Sequence, residues 1–338
     1  MRSWRAVVGV TAITVVSSVV PTTGAASAAA FTYAPVDRPG PALSVPAAVL
    51  AQSLGCRGDL AGAGRAPVLL VPGTWAVLRE HYGWNYMRAF DALGWPYCTV
   101  TTPKHAMEDM QISGEYVVAV IRTMYQRAGR PIAILGGSQG GSLPRWALRF
   151  WPDTRSMVEE HVGLAPTNHG GQGIATLCTP NCAPALWQQL YQSNFVRALN
   201  SAQETFPGIS YTEIYSRQDQ FATPASDTTG TSSLPGGGGG VTNVALQDLC
   251  PTHLADHFKL VTYDAVGYAL AVDALTHDGS ADPARLDRNV CTEQFQPGVD
   301  PATFSTGFLN AGAAVTTQQA TAERVDQEPP LRSYVTGS

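Results

Sequence analysis

Ile132-Ala133-Ile134-Leu135-Gly136-Gly137-Ser138-Gln139-Gly140-Gly141 is the stretch on which the fold turns. Its first four residues are an unbroken apolar run, the pattern of a strand buried on both faces rather than one wetted on alternate residues. Gly129-Arg130-Pro131 halts the segment before it, and beyond Gly141 the large apolar residues Trp146 and Phe150 resume at helical spacing. The turn between strand and helix carries Gly-x-Ser-x-Gly. A serine there projects its hydroxyl at the C-terminal edge of a sheet, and its glycine neighbours relieve the crowding of a strained backbone. In a glycine-rich chain the motif alone arises by chance with an expectation of roughly 0.2. Its place directly after an apolar strand and directly before a helix makes Ser138 a candidate nucleophile rather than an ordinary turn serine.

Outward from this point the chain alternates. Upstream, Val68 to Val71 read as a strand ended by Pro72-Gly73-Thr74, followed by a helix through Tyr86, Phe90 and Leu93 and a short strand at Cys98 to Val100. Tyr116, Val117, Val120, Ile121, Met124 and Tyr125 then recur at helical spacing, a packing stripe. Downstream come a strand at Val162 to Ala165, a helix around Trp187 to Leu199, strands at Ile209 to Ser216 and Val244 to Leu249, and a helix through Leu260, Tyr263, Val266 and Leu270. Strands alternating with helices predict an α/β fold whose mostly parallel central sheet is covered by helices on both faces. Residues 226–240, with glycine at every position from Gly236 to Gly240, read as a flexible surface loop. Too little chain follows to form a second α/β domain, so residues 31–338 read as one domain with a C-terminal extension from about residue 300.

Composition narrows the function. The 338 residues are 44% apolar and 14% charged, with a formal charge of -5 and no basic stripe, which argues against nucleic acid as a partner. Arg2 and Arg5 precede an apolar stretch from Ala6 to Val20 and then a small-residue segment, the order of a secretory signal over residues 1–30 with cleavage near Ala28 to Ala30. The apolar run is short for a membrane anchor and is interrupted by Thr11, Thr14, Ser17 and Ser18. Cys56, Cys98, Cys178, Cys182, Cys250 and Cys291 are an even set in an exported chain, so disulfides are expected, in a pairing that spacing leaves open. No CxxC pair occurs, and Cys178 and Cys182 have no histidine at ligand spacing, so no metal is expected.

A serine hydroxyl needs a base to take its proton and a carboxylate to orient that base. On a strand-turn-helix elbow of this kind the chain order is serine, acid, histidine. Of the downstream histidines, His161 opens a strand, His169 precedes every acid candidate, and His277 sits in a polar turn; His253 and His257 both follow the last strand, where the base belongs. Asp219 stands just past the strand Ile209 to Ser216. Asp227 falls in the glycine-rich loop, and Asp256 reads as a helix cap.

At this point the chain resembles the lipase family of Candida antarctica lipase B and its bacterial relatives. The resemblance is carried by Leu69 to Thr74, Ser138 to Gly141 with Trp146, Ala165-Pro166, Trp187-Gln188-Gln189, Tyr215-Ser216 through Asp219 to Pro224, and Asp256-His257. It implies an α/β-hydrolase fold and a cofactor-free serine hydrolase acting on lipid acyl or other esters at a lipid–water interface, with no obligate protein partner. Ser138 matches the nucleophile, Asp219 the acid and His257 the base, which decides His257 over His253. Thr74 and Gln139 match the oxyanion hole. Cys56 with Cys98 and Cys250 with Cys291 fall where the family has disulfides, which leaves Cys178 with Cys182. The chain departs from the family in three ways. Its glycine loop has no family equivalent of the same composition. The chain lacks the family's C-terminal disulfide, which implies a looser tail from Pro301 onward. Gly137 replaces a tryptophan, which implies a substrate pocket left open beside Gly137.

Overall fold

The computed structural model describes residues 32–337; the signal segment expected over residues 1–30 lies outside them. Seven strands, β1 (Leu54–Arg57), β2 (Val68–Val71), β3 (Tyr97–Val100), β4 (Ile132–Gly137), β5 (Val158–Leu164), β6 (Ser210–Tyr215) and β7 (Val241–Ala245), form one sheet in the order β1-β3-β2-β4-β5-β6-β7. All neighbours are parallel except β1 and β3. The helices are α1 (Ala47–Gln52), α2 (Leu78–His81), α3 (Tyr86–Leu93), α4 (Met110–Ala128), α5 (Gln139–Phe150), α6 (Pro184–Gln188), α7 (Asn194–Leu199), α8 (Leu246–Leu249), α9 (His257–Thr262), α10 (Ala265–Thr276) and α11 (Phe304–Thr321).

The unbroken apolar runs are explained by the two faces. Leu69 and Val71 of β2 and Ile132 and Ile134 of β4 join a core with Val117, Ile121 and Met124 of α4 and Trp146 and Leu148 of α5. The alternate residues Val68, Leu70, Ala133 and Leu135 join a second core with Phe90 of α3, Leu260 of α9 and Leu270 of α10. β2 and β4 each bury successive side chains on opposite sides, and neither holds a polar residue. This is the α/β architecture with helices on both faces.

Several local expectations are corrected. The strand expected from Val244 to Leu249 is β7 only as far as Ala245; Leu246–Leu249 is a helical turn, begun where the Asp248 carboxylate accepts the Ala245 N–H at 3.3 Å. The helix expected around Trp187 to Leu199 is two, α6 and α7, separated at Gln192 (φ 62°) and restarted by Ser193, whose hydroxyl caps Val196 N–H at 3.1 Å. His161 lies within β5, fully buried, rather than opening a strand.

The loop over residues 226–240 is flexible-looking only in composition. Thr231 to Leu234 are buried: Ser232 Oγ donates to Pro166 O (2.9 Å), its own carbonyl accepts from Asn168 Nδ2 (2.7 Å), and Asn243 brackets Leu234 with two hydrogen bonds. Within the glycine run, a Cβ on Gly239 would stand 2.2 Å from the Ile209 carbonyl oxygen, whereas one on Gly237 would meet nothing. The run is partly a packing requirement.

Three disulfides link Cys56 to Cys98, Cys178 to Cys182, and Cys250 to Cys291. The first and third span 42 and 41 residues, loops for which chain entropy assigns about 4 kcal/mol each.

The tail departs most from expectation, because packing replaces the missing disulfide. Val325 pairs with Cys182, Glu328 caps α7 through Asn194 and Phe195 N–H groups (2.8 and 2.7 Å), and Arg332 N–H donates to Gln111 Oε1 (2.8 Å). Tyr334 takes a hydrogen bond from Trp146 Nε1 (3.0 Å) and packs on Phe150 and Trp151. Losing a ring so placed opens a cavity beside three large aromatics. Tyr334→Ala is therefore expected to lower the unfolding free energy in urea by about 3 kcal/mol; a change within the noise of the midpoint would mean that the tail is loosely held after all.

Candidate active site

The parallel strands β2 to β7 end at the same edge of the sheet, and the exits of β2, β4, β6 and β7 lead into the site. At the end of β4, Ser138 takes φ 55° and ψ -126°, a conformation that costs a non-glycine residue on the order of 1–3 kcal/mol. It is held there by its N–H on the Leu164 carbonyl (2.8 Å) and by the Gly141 N–H on its own carbonyl (2.9 Å). α5 starts at once, so close that a Cβ on Gly140 would lie 2.2 Å from the Val71 carbonyl oxygen. Only glycine permits that approach.

Asp219 follows β6. Its Oδ1 accepts the N–H groups of Phe221 (2.7 Å) and Ala222 (2.8 Å), and its Oδ2 faces His257 Nδ1 at 2.6 Å. Burial alone would raise the Asp219 pKa. The charge of His257, the hydrogen bond to it and the two backbone donors outweigh that and hold the carboxyl below its usual range. His257 opens α9, whose first turn is capped by the Asp256 carboxylate on Lys259 N–H (2.8 Å), and its own N–H donates to Gln220 Oε1 (3.1 Å). With Nδ1–H directed at Asp219, Nε2 is left as the basic nitrogen. His257 and Ser138 line one cavity of about 150 Å³, together with Thr74, Trp75, Phe221, Phe258 and Val261, and with Ala311, Val315 and Gln319 of α11.

The other candidates go elsewhere. His253 Nε2 pairs with Asp264 at 2.5 Å, and that carboxylate also caps α10. Asp227 is exposed and lies 3.7 Å from Arg217. His161 faces Glu213, His169 faces Glu204 and His277 faces Asp273.

Thr74 and Gln139 do meet: Thr74 Oγ1 donates to Gln139 Oε1 at 2.7 Å. As the first residue of α5, Gln139 has an N–H with no acceptor inside the helix, available to an anion at the helix start. Gln189, to which the sequence assigned no role, lies against both: its Nε2 is 3.0 Å from Thr74 Oγ1 and 3.2 Å from Gln139 Oε1.

The open space expected beside Gly137 is absent. Gly137 does not line the cavity; a Cβ there would meet His81 Cε1 at 2.8 Å, His81 Nε2 at 2.9 Å and Val261 Cβ at 3.1 Å. The imidazole of His81 fills that volume and itself lines the cavity. Sequence reasoning passed over His81 because it lies upstream of Ser138, where the chain order seeks no base. Burial pushes its pKa down to about 4 from an ordinary 6.5, with the Val261 carbonyl opposing and His257 assisting the shift. The unfolded chain therefore takes up this proton first. The contribution of neutral His81 to stability is full above about pH 6.5 and drains as the pH falls towards 4, at roughly 1.4 kcal/mol per pH unit. Between pH 7 and pH 5 the wild-type unfolding free energy should fall about 2 kcal/mol more than that of a folded His81→Asn variant; parallel pH curves would show that His81 does not titrate this way.

No family model matches the chain. Lipase B of Pseudozyma antarctica is 32% identical over 226 residues, 66% of this chain and 65% of that protein, so the chain spans just under two thirds of that relative's length. Aspergillus fumigatus lipase B superposes with a TM-score of 0.81 at 30% identity, over 89% of this chain and 75% of that one. Bacillus licheniformis lipase BlEst2 in its propeptide form matches at a TM-score of 0.50 and 17% identity, over 68% and 54%, a likeness of fold alone. With an α/β sheet of the same architecture and this identity across three quarters of the Aspergillus protein, the chain belongs to the lipase B family of α/β-hydrolases.

Proposed function

We propose that this protein hydrolyses carboxylic esters through an acyl-enzyme on Ser138. The observation that carries the reading is the 2.6 Å pairing of a buried Asp219 with His257, which lines the same cavity as the strained Ser138. His257 Nε2 takes the Ser138 proton as Oγ attacks the ester carbonyl. The oxyanion that forms is met by the N–H groups of Thr74 and Gln139, with the Thr74 hydroxyl as a third donor once it turns from Gln139 Oε1. His257 returns the proton to the departing alcohol. Water then repeats the sequence, delivering its proton to His257 and its oxygen to the acyl carbon, and Ser138 is regenerated. Asp219 keeps Nδ1–H in place and stabilises the imidazolium between the steps.

The substrate class follows from the walls. Trp75, Phe221, Phe258 and Val261 offer an apolar lining suited to hydrocarbon, and lipid acyl esters are the leading class. A cavity of about 150 Å³ is small for a long chain, which favours short esters, or the chain end of a polyester, as a second reading within the same chemistry. Three disulfides suit an oxidising compartment, so export by the segment over residues 1–30 forms part of the proposal. Among the described residues no helix is long and apolar enough to cross a membrane.

Ser138→Ala and His257→Ala are each expected to lower kcat on a soluble p-nitrophenyl ester by on the order of 10⁶. Asp219→Asn should lower it by roughly 10⁴. His253→Ala should turn over near the wild-type rate. Loss of hydrolysis in His253→Ala with retention in His257→Ala would overturn the assignment of the base.

A further inference from the structure

His81 belongs to no part of the proposed acyl transfer, yet its ring is bonded to the exit of β2 and to α9 and lies beside Gly137 at the end of β4. The Gly73 N–H donates to His81 Nδ1 at 2.9 Å, so Nδ1 is the acceptor and the ring proton sits on Nε2. Nε2–H then faces the Val261 carbonyl at 3.0 Å. That carbonyl lies in the last turn of α9, where helix carbonyls have no partner within the helix. One imidazole therefore ties the loop holding Thr74 to the helix that opens with His257. The ring stacks on Tyr82 with centroids 4.0 Å apart and planes within 12°. Tyr82 Oη in turn accepts the Gly137 N–H (2.8 Å) and donates to the Val71 carbonyl (2.9 Å). The two rings form a wedge between the exits of β2 and β4 and the helix of the base.

We propose that His81 is a positioning and size-determining residue of this active site: through Gly73 it sets the peptide that leads into Thr74, and its ring occupies the space beside Gly137 that would otherwise admit substrate. The inference rests on the ester-hydrolase reading. The peptide between Gly73 and Thr74 carries the Thr74 N–H, so loss of the Gly73 hydrogen bond frees the donor expected to face the oxyanion. Displacement of one such donor lowers kcat by roughly 10²-fold. Because the bond does not touch substrate in its ground state, KM should change little.

Two half-replacements separate this from a merely structural role. Asparagine at position 81 can present an acceptor near the place of Nδ1 and keep the Gly73 bond. Glutamine reaches towards the place of Nε2 and keeps the Val261 bond instead. In the full chain, His81→Gln is expected to lower kcat by roughly 10²-fold with KM nearly unchanged, and His81→Asn by less than about 10-fold, although both lose the stacked ring. His81→Ala, if folded by its melting transition, should raise kcat/KM for branched over linear esters by roughly 10- to 200-fold in a series varied in the acyl or the alcohol part. If His81→Ala does not fold, the Asn and Gln pair still decides the positioning role.

Equal kcat in folded His81→Asn and His81→Gln, whether both near wild type or both equally reduced, would overturn positioning. An unchanged branched-to-linear ratio in both series for folded His81→Ala would overturn the size role. Ser138→Ala in the same assay keeps the two levels apart. If that variant still turns over, the ester-hydrolase reading fails; if it is inactive while His81 variants behave as wild type, only the inference about His81 fails.

Discussion

Ser138 is held at φ 55° by neighbours that leave it nowhere to relax, and the rest of the site is arranged around that constraint. β4 is paired on both edges and buried on both faces, so it cannot shift to ease the residue that follows it. α5 follows with Ser138 as the single connecting residue, and the second residue of α5, Gly140, is pressed against the end of β2. Relief of the strain would require the strand, the helix or the Leu164 carbonyl to move, and each is fixed by a larger apolar core. The same clamp brings a free N–H of Gln139 to the start of α5 beside Thr74, and the parallel sheet brings the exits of β2 and β6 to the same edge.

Around this turn, chemically similar groups are sorted by their surroundings. His257 and His253 each have an aspartate partner, but of the two only His257 lines the cavity of Ser138; the Asp264 carboxylate is also engaged by the start of α10. His81 has no carboxylate. It stands between a backbone donor and a backbone acceptor, a setting that suits a neutral ring and opposes a second proton. Buried histidines can thus serve as a proposed base, as a structural pair or as an uncharged strut, according to what each nitrogen faces.

Legibility in the sequence followed the range of the interaction concerned. The strands β2 and β4 and the elbow could be read directly, because burial on both faces writes an unbroken apolar run and a strand-to-helix turn without space writes glycine. The family was legible for the same reason, since its motifs are local. The start of α8 was not, because Val244 to Leu249 is apolar enough for either state and a single side chain, Asp248, decides it. Glycine composition could not reveal that Gly239 packs on Ile209 or that Leu234 is buried, since those partners are remote in sequence. The tail was misjudged on a missing disulfide, when Tyr334 and Glu328 supply the hold. Gly137 suggested space from its own size alone; the ring that takes the space belongs to a residue 56 positions earlier.

Whether Ser138 carries the acyl group is tested most directly by incubating the folded protein with a fluorophosphonate and following intact mass and then peptide mass. A single stoichiometric adduct on Ser138, absent from Ser138→Ala and formed far more slowly by His257→Ala, is the predicted result. No adduct on the folded protein, or an adduct on another serine with the Ser138 peptide unmodified, would contradict it.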